Sequence, residues 1–356
     1  MILTILLLAG LSSAAASVEA VDRSMLEERK GLLYQRNNPN PYTGKVTFEE
    51  DTPDYYRRHE YYLLDGLIHG RHTSWYEGGE KYLEADYFGG VEQRGTSWFP
   101  WGTKHQEWSW VDGTQYSTTF SWYSPNSKKQ EENYVNGKQH GITTFWHESG
   151  QKSREIEYAD GIVDGTFAEF HENGRKKKVE HYVNGKLHGV TAEWYESGKK
   201  DSHGEWDNGI PLGTHTEWRE SGREFKVTTY VNGEIHGLIK SWWEDGAKRT
   251  EEEYVSGKEI GTHRGWWWNG NKWFEQEYVD GKPVGTHRVW HEDEKKSSEK
   301  KYIDGKKVGT HTSWYSTGQK ASEEEYVDDE QHGTSKEWNP DGSLYSEEHY
   351  VHGVAQ

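Results

Sequence analysis

Residues 182–198 read Tyr-Val-Asn-Gly-Lys-Leu-His-Gly-Val-Thr-Ala-Glu-Trp-Tyr-Glu-Ser-Gly, and nearly all of the chain after residue 60 repeats this pattern. An aromatic residue precedes a first glycine, and then a second glycine, a tryptophan and a third glycine follow. The first aromatic recurs every 24 residues, at Trp110, Tyr134, Tyr158, Tyr182, Trp206, Tyr230, Tyr254, Tyr278, Tyr302, Tyr326 and Tyr350. A fixed period in this range is the mark of a repeat array.

A second aromatic lies 12 residues after the first, and we name these residues the repeat Trp positions. They are Trp75, Trp98, Trp122, Trp146, Phe170, Trp194, Trp218, Trp242, Trp266, Trp290, Trp314 and Trp338, the first two belonging to looser copies that begin at Tyr62 and Tyr87. The segments between the glycines are rich in Thr, Tyr, Trp and Val, which favour β-strands. Asn184-Gly185 and Asn232-Gly233 are strong hairpin-turn signals. Each 24-residue unit is therefore predicted to contain two strands and two turns.

The predicted fold is all-β, an elongated array of antiparallel β-hairpins that forms a twisted single-layer ribbon with almost no helix after residue 40. Because a lone hairpin is marginally stable, each unit must be stabilised by its neighbours. Residues 21–43 are predicted to be a lead-in segment, in which Ser24 caps a short helix and Glu27 lies three residues on. Residues 44–356 are predicted to form one domain of about 13 repeats.

Composition narrows the classes of partner and chemistry. The chain has 60 acidic and 42 basic residues and a net charge of -18, which disfavours nucleic acid and anionic membranes as partners. It has no cysteine, which excludes disulfides, a thiolate nucleophile and a cysteine-based zinc site. Large apolar area comes instead from 19 Trp and 23 Tyr at regular positions, so the array is built on aromatic residues.

The first 20 residues have the pattern of a secretory signal peptide. Ile2 to Leu11 form an apolar run that is too short to span a bilayer, and small residues follow it. We predict cleavage near residue 17 or 21, and a secreted, periplasmic or cell-surface protein. An uncleaved anchor is the alternative. No later segment has the length and hydrophobicity of a transmembrane helix, so none is expected in the mature chain.

The run Tyr-Val-Asn-Gly-Lys-Leu-His-Gly at 182–189 resembles the MORN repeat. Glu-Asn-Gly-Arg at 172–175 and Glu-Ser-Gly-Lys at 196–199 resemble the bacterial MORN-variant repeat, which is typical of YwqK-type antitoxin proteins. The resemblance covers about residues 41–356. It implies an all-β repeat scaffold of the kind usually associated with protein contacts, and an antitoxin-like role.

Histidine is the most suggestive polar residue. It stands just before the second glycine (His69, His140, His188, His236, His332) or two residues after it (His215, His263, His287, His311). A ladder of metal-binding imidazoles would need neutral rings close together with carboxylates nearby. We favour the alternative, that the imidazoles pack on the turns and bond backbone groups, which the MORN resemblance also implies. No metal site and no cofactor are predicted.

Acidic runs at residues 251–253 and 323–325 lack the spacing of a calcium loop and are predicted to be solvated strand faces. The sequence contains no nucleophile paired with a base and no glycine-rich phosphate loop between a strand and a helix. We therefore expect a protein that is not an enzyme.

Trp243 and Trp267 each follow a repeat Trp directly, so we expect them on the opposite face of the sheet. Trp268, Trp273 and Phe274 crowd the same place, and an exposed apolar patch of this kind marks a contact site. The alternative is a second packed face or a dimer interface. A second candidate site contains Trp101 and Trp108, which lie in the least regular stretch, residues 88–127.

Two functions follow from these patterns. The first is an exported, non-enzymatic scaffold that binds a protein partner. The alternative is a glycan- or cell-wall-binding module, because residues 265–274 resemble the aromatic repeats of cell-wall-binding proteins, whose rings stack on sugars or surround choline.

Overall fold

The computed structural model describes residues 19–356, so most of the predicted signal peptide lies outside the described residues. It is all-β, and the prediction of an antiparallel hairpin array is confirmed. The only helical turn within residues 19–356 is a 3₁₀ turn at Arg23–Met25. Asp22 caps it by accepting from the amide of Ser24 at 2.8 Å, and a strand follows at Leu26. The predicted helix with Ser24 as its cap is therefore wrong, because the next residues pair as a hairpin.

The described chain divides into two compact units, residues 19–151 with 158–161, and residues 152–157 with 162–356. The first unit contains the strands β1 (Val21–Asp22), β2 (Leu26–Arg29), β3 (Leu32–Gln35), β4 (Gly44–Asp51), β5 (Tyr56–Leu64), β6 (Leu67–Ile68), β7 (Gly70–Trp75), β8 (Lys81–Phe88), β9 (Val91–Trp98), β10 (Lys104–Val111), β11 (Thr114–Ser124), β12 (Ser127–Val135), β13 (Lys138–Gln139) and β14 (Gly141–Trp146). Strand β15 (Lys152–Ala159) contributes residues 152–157 to the second unit.

The second unit continues with β16 (Ile162–Phe170), β17 (Lys176–Val183), β18 (Lys186–Leu187), β19 (Gly189–Trp194), β20 (Lys200–Asp207), β21 (Ile210–Trp218), β22 (Glu224–Val231), β23 (Glu234–Ile235), β24 (Gly237–Trp242), β25 (Lys248–Val255), β26 (Lys258–Trp266), β27 (Lys272–Val279), β28 (Lys282–Trp290), β29 (Lys296–Ile303), β30 (Lys306–Lys307), β31 (Gly309–Trp314), β32 (Lys320–Val327), β33 (Glu330–Trp338), β34 (Leu344–Val351) and β35 (Val354–Ala355). From β16 onward each longer strand pairs antiparallel with the next longer strand, and the two-residue strands β18, β23, β30 and β35 each pair with the strand before them.

The predicted hairpin turns have the backbone that their sequences require. Asn184 and Gly185 have φ of 49° and 76°, and Asn232 and Gly233 have φ of 50° and 83°. Positive φ at both central residues defines a type I′ turn, which matches the twist of the flanking strands. Asp329 takes the second position at φ 73°, where most other units have glycine.

Two glycine patterns shape the strand that follows each of these turns. At His188-Gly189 and His236-Gly237 the glycine has positive φ and the strand is interrupted, which separates β18 from β19 and β23 from β24. At Gly261-Thr262-His263 the strand is continuous but its pairing with the preceding strand contains a bulge. The histidine two residues after the glycine lies on the packed side of the sheet in units of both kinds, since His263 is 3% and His311 is 5% exposed.

The first unit has a small aliphatic core. Leu26, Val46, Tyr61 and Leu63 are buried together, and Leu33 from the β2–β3 hairpin packs against them. The predicted lead-in segment thus supplies core residues to the first unit. The boundary predicted at residue 44 and the single-domain prediction stay predictions.

Candidate interaction surface

Most repeat Trp rings contact a lysine from a paired strand. The Lys272 ammonium lies 5.4 Å from the centre of the Trp290 ring and 3.1 Å from a carboxylate oxygen of Glu275. Such cation–π contacts contribute about 0.5–1 kcal/mol at exposed sites. The same contact joins Lys81 to Trp98, Lys128 to Trp146, Lys200 to Trp218, Lys248 to Trp266, Lys296 to Trp314, and Lys320 to Trp338. The repeat Trp residues are half-buried and serve the array itself.

The residue immediately after a repeat Trp, which we name the donor position, bonds one repeat to the next. The Tyr195 hydroxyl donates to the Trp218 carbonyl at 2.7 Å, and Arg219 donates to the Trp242 carbonyl at 3.2 Å. The same bond runs from Tyr76 to Trp98, Tyr123 to Trp146, His171 to Trp194, His291 to Trp314, and Tyr315 to Trp338. The side chains differ, but each carries an N–H or O–H at its tip.

Trp243 and Trp267 occupy this donor position. Their indole N–H groups donate to the carbonyls of Trp266 and Trp290 at 2.9 and 3.1 Å. Both rings are half-buried in turns that follow the ends of β24 and β26. The expectation that these two rings are exposed is therefore wrong, because they are half-buried and their indole N–H groups are hydrogen-bonded within the array. Their role in binding stays a prediction.

Trp273 and Phe274 pack with Trp267 across the same turn. The ring centres of Trp267 and Trp273 are 5.3 Å apart, and those of Trp273 and Phe274 are 5.1 Å apart. Phe274 lies over the buried Gly265, which leaves no room for a Cβ atom. The structure thus brings the predicted residues together, but as a half-buried cluster that supports the turn.

Trp268 is different from its neighbours in the cluster. It is 61% exposed, more than any other tryptophan in residues 19–356. In the other turns of the second unit this position is held by an exposed glutamate, at Glu172, Glu196, Glu220, Glu244 and Glu292, or by Ser316 or Pro340. Trp268 is therefore the predicted site residue that offers a free aromatic face.

Neighbouring turns on this side of the sheet are bonded to one another, and we name them the Trp-side turns. Within the second unit they span residues 171–175, 195–199, 219–223, 243–247, 267–271, 291–295, 315–319 and 339–343. The amide groups of Asn269 and Asn271 donate to the Glu292 carbonyl at 3.0 and 2.9 Å. The position of Glu292 relative to the turn that contains Trp268 is thus fixed by direct contacts.

Trp101 and Trp108, the second predicted site, lie in the first unit and do not contact each other. Trp101 is 54% exposed in a turn and stacks on Phe99 with ring centres 4.8 Å apart. Trp108 is half-buried, covers Gly95 and donates its indole N–H to Glu92. Trp108 thus has a packing role, whereas Trp101 is accessible.

A groove of about 740 Å³ in the first unit was not predicted. Its walls include Asp86, which accepts from Arg94 at 2.7 Å and from Arg71 at 3.1 Å. The hydrogen bond from Arg94 and the nearby Arg71 charge hold the pKa of Asp86 below its ordinary value. Asp86 and the two arginines therefore neutralise one another. They come together through the cross-strand register, which the spacing of residues in the sequence does not specify.

One class of histidine is buried between tyrosine rings. His263, His287 and His311 are buried and alternate with Tyr254, Tyr278, Tyr302 and Tyr326, at ring-centre distances of 4.7 to 5.6 Å. Their Nε2 atoms donate to backbone carbonyls at 2.8 to 3.0 Å. Burial lowers the pKa of His287 and His311, which favours neutral rings. The prediction that histidines bond backbone groups is confirmed for this class.

A pair of histidines in the first unit shares one hydroxyl. His59 and His72 lie 2.8 and 3.2 Å from the Ser74 oxygen. Burial, and then the neighbouring His59, lower the pKa of His72 to about 4. In the part of the chain that the structure describes, no group of three His, Asp or Glu side chains is arranged to hold a metal ion.

The acidic runs distribute their carboxylates among separate partners. Glu251 pairs with Lys248 at 3.5 Å, and Glu252 accepts from the Tyr254 hydroxyl at 3.3 Å. Burial, followed by the Glu252 charge, raises the pKa of Tyr254 to about 12. In the second run, Glu325 accepts from the Thr334 amide at 2.8 Å. The carboxylates of each run therefore do not converge on one point.

Comparison with known families identifies three segments of this chain. Residues 139–160, 307–328 and 331–352 match the model of the MORN repeat variant. Two of these segments lie in the second unit, and each covers one Trp-side turn with the strands on either side of it. The MORN-type repeat predicted from the sequence is thus confirmed at these three places. No curated protein matches the chain.

Two solved structures are similar to this chain at low identity. One is the crystal structure of TcdB2-TccC3, with 10% identity over 83% of this chain and 23% of that chain, and a TM-score of 0.15. The other is the Photorhabdus luminescens Tc holotoxin pore with TccC3-D651A, with 9% identity, coverages of 88% and 24%, and a TM-score of 0.12. The chain spans about a quarter of the length of each. At these TM-scores the similarity carries no argument about fold or function.

Within residues 19–356 there is no helix of the length and hydrophobicity needed to cross a membrane.

Proposed function

We propose that this protein is a non-enzymatic β-repeat scaffold that binds a protein partner along its Trp-side turns, with Trp268 at the centre of the contact. One observation carries the proposal: Trp268 is 61% exposed, whereas Trp243 and Trp267 at the donor position are half-buried and hydrogen-bonded. Tryptophan is enriched among residues that dominate binding energy at protein interfaces. Backbone hydrogen bonds within the turn, from Trp267 to Asn271 and from Gly270 to Trp267, order the chain at this position before binding, which reduces the entropy lost on association.

The repeat matches support the same class of function, since MORN repeats are generally involved in protein or membrane binding. The large acidic excess disfavours an anionic membrane, which leaves a protein as the preferred partner. The resemblance to YwqK-type proteins extends the proposal to an antitoxin-like role, in which the partner would be a toxin.

Export is part of the proposal and rests on the apolar run that begins the chain. We expect the mature protein to start near residue 17 or 21 and to be found outside the cytoplasm. N-terminal sequencing of the protein purified from its natural source checks this. Retention of Met1 would contradict cleavage and leave an anchored form.

Replacing Trp268 with alanine is expected to weaken binding of the protein partner by more than 1 kcal/mol while leaving folding unchanged. A photo-crosslinking amino acid at position 268 identifies the partner, and calorimetry with the purified partner then measures affinity. Val279→Ala is the matched control, because Val279 is 59% exposed but lies at the end of β27 opposite to the turn that contains Trp268, beside the turn at residues 280–281. Equal affinity of wild type and Trp268→Ala would contradict the proposal, and binding only to polysaccharide on a glycan array would replace it with the glycan-binding alternative.

A further inference from the structure

Cationic side chains connect several of the neighbouring Trp-side turns. The last residue of a turn often carries a cation that donates to backbone carbonyls of the next turn. Arg175 donates to the carbonyls of Ser197 and Glu196 at 2.6 and 3.3 Å. Arg223 donates to the carbonyls of Glu244 and Asp245, and Lys199 and Lys295 donate to Ser221 and Ser316 at 3.4 and 3.1 Å. In four of these turns, backbone carbonyls therefore accept a hydrogen bond from a cationic side chain of the preceding turn.

The turn that contains Trp268 lacks this cation. The residue that would supply it is Ala247, which has no donor on its side chain. Within residues 19–356 no side chain donates to the backbone carbonyls of Trp268 or Asn269. The turn at residues 267–271 thus differs from its neighbours in two ways: it has tryptophan where most have glutamate, and no cation from the preceding turn donates to its carbonyls.

Two exposed carboxylates flank Trp268 in the neighbouring turns. Glu244 and Glu292 hold the equivalent position in the turns on either side, and both are exposed. Neither carboxylate forms an ion pair with any residue of the described chain, 19–356. Like turns recur every second strand, about 9–10 Å apart, so each carboxylate is within reach of a long side chain that lies on the indole.

We propose that Trp268, Glu244 and Glu292 form a binding site for an arginine side chain from a basic segment of the protein partner. The guanidinium group stacks on the exposed indole and donates to the carbonyls of Trp268 and Asn269, as Arg175 and Arg223 do to their neighbouring turns. The flanking carboxylates neutralise its charge. Arginine fits better than lysine because its planar group stacks on aromatic rings and donates from several nitrogens at once.

The overall charge of the protein favours this partner, since a net charge of -18 steers basic segments toward it. The inference rests on the proposed function, because it specifies the chemistry of the partner at the same surface. It nevertheless makes a separate claim, which is that recognition depends on a cation at this turn.

The test uses a synthetic peptide with two arginines separated by Gly-Ser spacers, and the same peptide with citrulline at both places. Calorimetry with the full chain should give binding of the arginine peptide at least fivefold tighter than that of the citrulline peptide. Trp268→Glu is the decisive variant: it adds a negative charge, so simple electrostatics predicts tighter binding, whereas the proposed site predicts binding at least fivefold weaker. Glutamate occupies this position in neighbouring turns, so the variant should fold.

A second variant tests the missing cation directly. Ala247→Arg restores the residue type found at Arg223, and its side chain should occupy the site from within and weaken peptide binding at least fivefold. Glu220→Gln, in a turn two repeats from Trp268, is the control and should change binding less than twofold. The proposal is overturned if the citrulline peptide binds equally well, if Trp268→Glu binds as tightly as wild type, or if Ala247→Arg has no effect. Because the peptide assay does not involve the natural partner, these results leave the crosslinking test of the proposed function independent.

Discussion

His287→Ala is expected to lower the free energy of unfolding of the second unit by about 2–3 kcal/mol. The ring is 7% exposed, lies between Tyr278 and Tyr302 at centre distances of 5.2 and 4.8 Å, and donates to the Glu277 carbonyl at 2.8 Å. Alanine would leave a cavity between two tyrosine rings and remove the donor from a backbone carbonyl. Both the cavity and the lost hydrogen bond lower the free energy of unfolding, so this substitution is among those with the largest expected effect.

His188→Ala is the matched control. His188 stands directly before the second glycine of its unit, is exposed, and pairs with Asp207 at 3.3 Å. Its replacement should change the free energy of unfolding by less than about 0.5 kcal/mol. Urea unfolding followed by circular dichroism measures both variants. A cost below 1 kcal/mol for His287→Ala would show that the ring column is not a packed element.

The same histidine predicts a dependence of stability on pH. Burial lowers the pKa of His287 below its ordinary value of 6.5, so below that pH the unfolded chain binds the proton more readily than the folded chain. The stability that neutral His287 contributes is therefore present above pH 6.5 and lost as pH falls below it. The decrease in unfolding midpoint from pH 7.5 to 5 should be smaller in His287→Ala than in wild type.

The periodic features of the fold could be predicted from the sequence because each depends on local chemistry. Asn184-Gly185 specifies a I′ turn, since both residues tolerate positive φ. The 12-residue spacing of aromatics then fixes the strand lengths between turns. The wrong helix at Ser24 shows the limit of a local rule, because the capping pattern was overridden by a hairpin whose Leu26 and Leu33 pack in the core of the first unit.

The contacts between repeats could not be predicted in the same way. The donor position is occupied by Tyr, His, Arg or Trp, which look unrelated by residue type and share only a donor at the end of a long side chain. Their common acceptor lies 23 residues away, and only the cross-strand register shows that it is within reach. The sequence therefore predicts an exposed binding role for Trp267 as well as for Trp268, whereas only Trp268 of the two has an accessible ring.

Trp267→Ala is expected to lower the free energy of unfolding by about 2–3 kcal/mol, close to the cost of Trp218→Ala, because both remove a half-buried indole. At Trp267 the loss includes the hydrogen bond to the Trp290 carbonyl at 3.1 Å and the contact with Trp273 at 5.3 Å. At Trp218 it includes the contact with Lys200 at 5.8 Å. Similar costs at the two positions indicate that the donor position stabilises the array as much as the repeat Trp does.

Trp267→Tyr separates the hydrogen bond from the volume of the ring. Tyr195 and Tyr315 occupy the donor position in other repeats and reach the next carbonyl at 2.7 and 2.8 Å, so tyrosine at 267 should cost less than about 1 kcal/mol. Trp267→Phe, which has no donor, should cost more than Trp267→Tyr. Urea unfolding of the three variants gives the order Tyr, Phe, Ala for increasing loss. If Phe is tolerated as well as Tyr, the ring alone holds the turn, and the bond between repeats contributes nothing to stability.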